Sequence, residues 1–206
     1  MRKIEKVLAL GSHPDDIEIG CGGTIAKWAD NKVKVYFMIM TVGESGGKPD
    51  ERKAEQEDAA KRLGVKRVYW GDYLDTQLPI NNLLISDIES VVGEVKPDLV
   101  FVHHYNDTHQ DHRALSMSAI TATRYTKNVL FYEGPSTYDF SPTIFVDISD
   151  YIDRKFEALF SHTSQINKTN IEGLNITQIT DANAIFRGVE GRVKYAEAYI
   201  PFRVFI

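Results

Sequence analysis

The sequence is poor in cysteine, in long apolar runs and in positive charge, and each shortage excludes a class of protein. Cys21 is its one cysteine, so no intrachain disulfide can form and a disulfide-stapled scaffold is excluded. No apolar run approaches the roughly 18 residues that a membrane-spanning helix needs. The 24 lysines and arginines are outnumbered by 29 aspartates and glutamates, and the resulting net charge of −5 argues against a nucleic-acid-binding protein.

The N-terminal segment does not resemble a secretory signal. Only the short apolar stretch 7–10 precedes Gly11, whereas the apolar part of a signal peptide spans about 7–15 residues. We interpret this stretch as a first β-strand and expect a cytoplasmic protein. Hydrophobic residues make up 43% of the chain and charged residues 26%, which is typical of a globular protein with a full core.

Short apolar runs alternate with longer amphipathic stretches over the first two thirds of the chain. The apolar runs predict strands at 7–10, 33–40, 67–70, 99–103 and 129–132. Helices are predicted between them, most clearly at 49–63 and 81–94. This alternation indicates an α/β fold in which helices cover a parallel sheet.

The last third of the chain follows a different pattern. It predicts a strand at 143–148, a helix at 151–160 and a weak helix at 181–188. The aromatic segment 195–205 is β-prone but contains Pro201, which favours an edge strand because proline has no N–H to donate. No linker, repeat or low-complexity tract divides the sequence, so we expect a single domain over residues 1–206.

Histidine and aspartate are concentrated in two short segments, each directly after a predicted strand. The first segment contains His13, Asp15 and Asp16, and the second contains His103, His104, His109, Asp111 and His112. Because the carboxyl ends of parallel strands share one edge of a sheet, the two segments are expected to meet there. Imidazole and carboxylate groups together suit Zn²⁺ or a similar divalent ion, and a free neighbouring carboxylate can act as a general base.

The first segment resembles the signature of a known family. It reads Gly11-Ser12-His13-Pro14-Asp15-Asp16-Ile17-Glu18 and continues with Gly20-Cys21-Gly22-Gly23, as in the LmbE-like, or PIG-L, deacetylases. Weaker matches follow in the expected order: His109-Gln110-Asp111-His112, the region with Glu44 and Arg52, and the segments 161–165 and 191–197. The resemblance spans nearly the whole chain, although position 110 is glutamine where many relatives carry proline.

This resemblance implies a three-layer, Rossmann-like domain with a mostly parallel sheet, and a zinc-dependent N-deacetylase acting on an N-acetylglucosaminyl compound. It assigns the zinc ligands to His13, Asp16 and His112. It also makes Asp15 the general base for a zinc-bound water, and His109 the acid or oxyanion partner, with Asp111 orienting it. Zinc is the expected ion, and another divalent metal fits the same ligands.

Substrate-binding residues are less clearly marked. The resemblance makes Arg52 a substrate-contacting arginine. Glu44 and Asp75 are expected in loops at the same edge of the sheet, where either can bind sugar hydroxyls. The expected partner is a small N-acetylated sugar, with no nucleic acid or membrane. By family analogy the chain is also expected to form homo-oligomers, from dimer to hexamer.

Ordinary structural roles compete with these assignments. Asp15 and Asp16 could be N-caps of the first helix, and Asp111 could cap a helix that starts at His112. The glycines at 20, 22 and 23 are better explained by close helix packing than by a dinucleotide loop, because no Gly-x-Gly-x-x-Gly follows the strand. Because residues alternate sides along a strand, at most one of His103 and His104 faces the site, and a structural role is favoured for each. The role of His162 is left open.

Three functions are therefore compatible with the sequence. The first is the N-deacetylase. The second is a metal-dependent amidase of another conjugate, of the mycothiol or bacillithiol type, with the same site and different pocket walls. The third is a non-catalytic sugar- or nucleotide-binding α/β domain, which would have no need for the base Asp15.

Overall fold

The computed structural model describes residues 4–169 and 171–205, and a sheet of seven strands forms its centre. The strands are β1 (Lys6–Gly11), β2 (Lys34–Thr41), β3 (Arg67–Tyr73), β4 (Leu99–His103), β5 (Asn128–Tyr132), β6 (Ile144–Asp147) and β7 (Ala196–Arg203). Their order across the sheet is β3-β2-β1-β4-β5-β7-β6. The first five strands run parallel, whereas β7 is antiparallel to both of its neighbours. The expected mostly parallel sheet is confirmed.

Helices cover both faces of this sheet and give three layers. They are α1 (Asp16–Asp30), α2 (Pro49–Leu63), α3 (Asn82–Val95), α4 (Gln110–Ala122), α5 (Ile152–Phe160) and α6 (Ile176–Gly191). Alternate residues of β1 point to opposite faces: Val7 and Ala9 pack with α1, α2 and α5, whereas Leu8 and Leu10 pack with α3 and α4. Residues 7–10 of β1 are therefore all apolar, because both faces of the strand are buried there.

Local sequence signals set most helix boundaries. Helix α2 has Pro49 in its first turn and ends at Gly64, whose φ of 78° is the left-handed conformation that glycine adopts freely. Helix α3 starts one residue later than expected because Asn81 is its N-cap, with the side chain accepting a hydrogen bond from the Leu84 N–H.

Two expectations for the last third of the chain need correction. The weak helix expected at 181–188 is the longer α6, which starts at a capping box formed by Asn175 and Gln178. The edge position expected for 195–205 is wrong, because β7 lies between β5 and β6. Strand β6 pairs only with the first half of β7, up to Tyr199, so Pro201 has a strand neighbour on one side alone.

Close packing accounts for Gly20 and Gly23 of α1, as the sequence predicts, but not for Gly22. A Cβ on Gly20 would lie 2.2 Å from the ring of Tyr132 on β5, and one on Gly23 would lie 2.8 Å from Ile148. These contacts hold the N-terminal half of α1 against the sheet and so fix the loop that precedes it. In the described ranges, none of the helices combines the length and the apolar character that crossing a membrane requires.

Candidate metal centre and active site

The two histidine- and aspartate-rich segments meet at the carboxyl edge of the sheet, where β1 and β4 are neighbours. A third loop, after β3, adds Asp75. Three groups of side chains bring their ligating atoms within 4.8 Å of one another: His13, His109 and His112; Asp16, His103 and His112; and His13, Asp75 and Asp111. These groups form one continuous cluster because they share His13 and His112.

Backbone hydrogen bonds hold one carboxylate oxygen of Asp16 in place. Its Oδ2 accepts hydrogen bonds from the backbone N–H groups of Ser12 and His13 at 3.0 and 2.8 Å, and lies 3.1 Å from Nε2 of His103. Its Oδ1 lies 3.3 Å from Nε2 of His112. Burial opposes ionisation, but the imidazoles of His112 and His103 outweigh it and hold the pKa of Asp16 well below its usual value. The carboxylate is therefore ionised, with Oδ1 turned toward the other side chains of the cluster.

His112 is held between two carboxylates. Its Nδ1 lies 3.2 Å from Oδ2 of the fully buried Asp107, so its Nε2 is the nitrogen that faces Asp16. Burial opposes protonation, yet these two carboxylates raise the pKa of His112 to about 9. A carboxylate behind a histidine fixes the orientation of the ring and strengthens the other nitrogen as a metal ligand. Asp107 is not predictable from the sequence, because its position in the loop after β4 carries no distinctive spacing.

His13 is oriented in the same manner by a different pair of carboxylates. Its Nε2 lies 3.0 Å from Oδ1 of Asp75 and 3.2 Å from Oδ2 of Asp111. Its Nδ1 faces Asp16, whose Oδ2 is 3.4 Å away. Asp75, expected as a sugar ligand, is thus a partner of His13 in the structure.

The expected ligand residues all belong to this cluster, but they do not form one of its groups. His13 and His112 share one group with His109, and Asp16 and His112 share another with His103. In each of His13, Asp16 and His112, one nitrogen or oxygen of the side chain contacts a carboxylate or a backbone N–H. The second such atom faces another side chain of the cluster. Two nitrogens and one carboxylate oxygen are a donor set suited to zinc and to similar first-row ions.

Asp15 stands beside this cluster with a different environment. It occupies the N-cap position of α1, but its side chain makes no capping hydrogen bond, and its φ is 93°. Its backbone N–H donates to Oε1 of Gln56, and Nη2 of Arg52 lies 3.9 Å from its Oδ2. The side chain is 18% exposed, and burial together with the adjacent Asp16 raises the pKa of Asp15 to about 6. Among the described residues, the Asp15 carboxylate forms no capping hydrogen bond and no ion pair shorter than 3.9 Å.

His109 and Asp111 lie together, but not in the expected manner. The backbone N–H of Asp111 donates to Nδ1 of His109 at 3.2 Å, and His109 is thereby the N-cap of α4. The Asp111 carboxylate instead contacts His13 and accepts from the N–H groups of Thr76 and Leu78 at 2.7 and 3.2 Å. Because Nδ1 accepts a hydrogen bond, the neutral His109 ring carries its proton on Nε2. Burial and the neighbouring His112 and His13 lower the pKa of His109 and favour this neutral form.

Arg52 is buried between two loops at the same edge. It donates to the backbone oxygens of Gly43 and Pro14 at 2.7 and 3.0 Å, and so ties the loop after β2 to the loop that carries Asp15. Glu44 supports the loop after β3, because its Oε1 accepts from the Asp75 N–H at 2.8 Å. Both residues thus lie at the site, and their described contacts are to the protein.

The three histidines whose roles the sequence left open have different surroundings. His103 faces the cluster and stacks on His112 with ring centroids 3.9 Å apart, and burial together with His112 lowers its pKa to about 4. His104 points away and packs against Phe131 and Phe140. His162 is buried behind the site, with its Nε2 3.8 Å from Glu18.

Several known proteins of similar sequence and structure are described as deacetylases. The model of the family described as PIG-L, GlcNAc-PI de-N-acetylase, matches residues 8–123. The Escherichia coli protein YaiS, described as an uncharacterized deacetylase, is 34% identical over 79% of this chain and 92% of its own length. The diacetylchitobiose deacetylase of Thermococcus kodakarensis is 30% identical over 79% of this chain and 70% of its own. The solved structure of N,N′-diacetylchitobiose deacetylase from Pyrococcus horikoshii has a TM-score of 0.87 and 28% identity, covering 98% of this chain and 85% of that one.

Proposed function

The chain belongs to the PIG-L family of deacetylases, and we propose that it is a metal-dependent hydrolase that removes the acetyl group from a small N-acetylglucosaminyl compound. Asp15 is the observation that carries this proposal. Its ionisable side chain lies beside the candidate ligands and is used neither as a cap nor as an ion-pair partner at close range. A site that only binds sugar has no need of such a base, whereas amide hydrolysis requires one.

The proposed metal ligands are Nδ1 of His13, Oδ1 of Asp16 and Nε2 of His112, the atoms directed into the cluster. The proposed ion is zinc, with another divalent metal as the alternative. When bound, such an ion supplies a Lewis acid for the acetamide carbonyl and for the attacking water. Asp107, Asp75 and Asp111 support the ligands by orienting the two imidazoles.

The chain's own residues account for the proton transfers of amide hydrolysis. Asp15 accepts a proton from the attacking water as the water oxygen bonds to the carbonyl carbon. It then delivers that proton to the leaving nitrogen as the C–N bond breaks, which yields acetate and the amino sugar. His109 donates a hydrogen bond from Nε2 to the oxygen on which negative charge develops.

Arg52 and Glu44 remain proposed substrate-binding residues. The position of Arg52 supports this proposal, because the residue lies close to Asp15 and its Nε has no hydrogen-bond partner among the described residues. Glu44 likewise keeps its Oε2 without a partner in that part of the chain. We also propose one domain over residues 1–206, a cytoplasmic location and a homo-oligomer, each as expected from the sequence.

Amine release from a panel of N-acetylated sugars tests the proposed function. The panel contains N-acetylglucosamine, N,N′-diacetylchitobiose, UDP-N-acetylglucosamine and N-acetylglucosaminyl malate, each incubated with zinc-loaded and with chelated protein. We expect metal-dependent release that falls by about 10²- to 10⁴-fold in Asp15→Asn, the range for loss of a general base, while substrate binding is retained. Asp50→Asn, an exposed aspartate on α2, is the matched control and should keep full activity.

Two results would contradict the proposal in different ways. Turnover that is preserved in Asp15→Asn would remove the base assignment. Absence of turnover over the whole panel, in protein that binds no metal, would favour a sugar-binding domain without catalysis.

A further inference from the structure

Helix α1 is kinked where it passes Cys21. The backbone of Cys21 has φ −148° and ψ 18°, which departs from helical geometry and divides α1 into a first half, residues 16–20, and a second half, residues 22–30. In a continuous helix the backbone oxygen of Ile19 would accept a hydrogen bond from the Gly23 N–H, four residues later. A side chain inserted among such backbone hydrogen bonds is one established cause of a kink.

A buried ion pair contacts the backbone on both sides of this kink. Before the kink, Nζ of Lys155 on α5 donates to the backbone oxygen of Ile19 at 2.8 Å. After the kink, the carboxylate of Glu197 on β7 accepts from the N–H groups of Gly23 and Thr24 at 2.9 and 2.7 Å. Lys155 and Glu197 also bond to each other, with Nζ and Oε1 2.5 Å apart. The pair therefore joins the two halves of α1.

Burial makes this ion pair an inefficient means of stabilising the fold. Lys155 and Glu197 are only 2% and 4% exposed. The cost of removing two charges from water offsets much of their attraction, and apolar residues of similar size often give an equally stable protein. Apolar side chains cannot, however, make directed hydrogen bonds to three backbone groups of α1. The pair thus supplies a fixed geometry that an apolar contact would not.

The first half of α1 carries two residues of the proposed active site. Asp16 is its first residue, and Asp15 occupies the N-cap position. The N–H of Ile19, whose oxygen Lys155 holds, donates to the backbone oxygen of Asp15 at 3.0 Å. Oδ2 of Asp16 in turn accepts from the His13 N–H at 2.8 Å. A shift of the first half of α1 would therefore move the proposed base and a proposed ligand together.

We propose that Lys155 and Glu197 are positioning residues, whose ion pair spans the kink of α1 and sets where Asp15 and Asp16 lie. Both act through the backbone of α1, and among the described residues neither belongs to the candidate metal cluster. The inference rests on the proposed function, in which Asp16 is a metal ligand and Asp15 is the base. It predicts that zinc affinity and kcat depend on the pair even where the stability of the fold does not.

The double variant Lys155→Met/Glu197→Met separates position from stability. It removes both charges together, so it should melt at a higher temperature than either single variant, each of which leaves one charge buried without its partner. Zinc affinity, from competition with a chelator, and kcat for the best substrate of the panel should nevertheless stay about 10- to 100-fold below the unmodified values. KM should change little, because the residues proposed to bind the sugar are unaltered.

Asp30→Asn is the matched control because it acts between the same two helices. Oδ1 of Asp30 lies 2.5 Å from Nη1 of Arg154 on α5, at the end of α1 beyond the kink. Loss of this ion pair should leave zinc affinity and kcat unchanged. Glu197→Gln keeps the side-chain shape and one acceptor oxygen, so it should cause a smaller fall than the double variant. If the double variant does not fold, unchanged zinc affinity and kcat in Glu197→Gln would overturn the proposal.

The outcomes separate this proposal from the proposed function. Zinc affinity and kcat that recover together with Tm in the double variant would mean that the pair only stabilises the fold. Absence of turnover in the unmodified protein would overturn the proposed function, and zinc affinity would then decide the role of the pair.

Hydrogen exchange of the chelated proteins decides the proposal even if the unmodified protein binds no zinc. The amides of residues 12–19 should exchange about tenfold faster in the double variant than in Asp30→Asn or in the unmodified protein, because the first half of α1 is no longer held. Equal exchange in all three proteins would overturn the proposal.

Discussion

At the scale of single residues, Asp107 lies behind His112, a proposed metal ligand. It orients His112 through a contact of 3.2 Å and is fully buried. Asp107→Asn removes the charge behind the imidazole, so we expect zinc affinity to fall about 10- to 100-fold. Competition titration with a zinc chelator gives the affinity.

The matched control for this variant is Asp98→Asn at the opposite end of the sheet. Asp98 also accepts backbone hydrogen bonds, from the N–H groups of Glu5 and Lys6, but lies outside the cluster. Its substitution should leave zinc affinity unchanged. Equal affinities in Asp107→Asn and the unmodified protein would show that His112 does not need this partner.

His104 contributes to a pH dependence of stability that is independent of metal. Burial lowers its pKa below the usual value, against the opposing effects of a backbone hydrogen bond with Asn106 and of the carboxylates of Asp107 and Glu133. The unfolded chain binds a proton there below about pH 6.5, whereas the folded chain stays neutral to lower pH. Stability is therefore complete above pH 6.5 and falls as the pH drops toward the lowered folded pKa.

Comparison with His104→Asn isolates this contribution. The variant loses ring packing at every pH, but its unfolding free energy should fall less steeply between pH 7 and pH 5. The difference in slope is at most about 1.4 kcal/mol per pH unit, the value for one linked proton. Urea unfolding at a series of pH values, with chelator present in both proteins, measures the two slopes. Parallel slopes would contradict the assignment.

The sequence could predict which residues gather here but not how each is used. His13, Asp16 and His112 are predictable because they follow two strands whose ends share an edge. The partners Asp75 and Asp107 depend on the paths of two loops, which no local spacing encodes. The part played by His103 depends on which face of β4 it occupies, and alternation alone leaves that choice open.

At the scale of elements, α1 must lie close to the sheet to hold Asp15 and Asp16 in place. Gly20→Ala would place a methyl group 2.2 Å from the Tyr132 ring. The ring cannot easily move, because its hydroxyl donates a hydrogen bond to the backbone oxygen of Leu10 at 2.8 Å. We expect a loss of about 1–3 kcal/mol in stability, the usual cost of overpacking, with reduced activity. Thermal and urea unfolding give the stability.

Gly22→Ala is the matched control on the same helix. A Cβ at Gly22 would lie 3.4 Å from its nearest neighbour, the flexible side chain of Lys155. The substitution should be neutral or stabilise the protein by up to about 1 kcal/mol, because alanine favours helix over glycine. Similar losses in both variants would mean that helix geometry, rather than contact with Tyr132, requires these glycines.

Elements were predictable where local and tertiary signals agree. Helix α2 matches its expected bounds because Pro49 and Gly64 punctuate an otherwise polar, helix-favouring stretch. Helix α6 was underestimated because its apolar pattern is weak, although Asn175 and Gln178 at capping-box spacing marked its true start. The position of β7 between two strands could not be predicted. Pro201 lacks a backbone N–H and so limits strand pairing only at its own position. It does not indicate that the preceding residues of β7 pair with β6.

At the scale of the whole molecule, a bound metal would join the loop after β1 to the loop after β4 and so stabilise the fold. The cluster places Asp16, Asp107, Asp75 and Asp111 close together, and a divalent cation would relieve their mutual repulsion. A ligand at about 1,000 times its dissociation constant adds roughly 4 kcal/mol to unfolding. For a chain of this size that corresponds to a rise of roughly 8–16 °C in Tm.

Scanning calorimetry of chelated and zinc-loaded protein measures this rise, with metal content determined on the same samples. His112→Asn should lose most of the rise because it removes a proposed ligand, whereas His104→Asn should keep it because His104 points away from the cluster. A rise that persists in His112→Asn would place the metal elsewhere. Equal Tm values for chelated protein and for protein that holds one zinc ion per chain would mean that the two loops are already fixed by their hydrogen bonds. The ion would then serve the reaction without contributing to the stability of the fold.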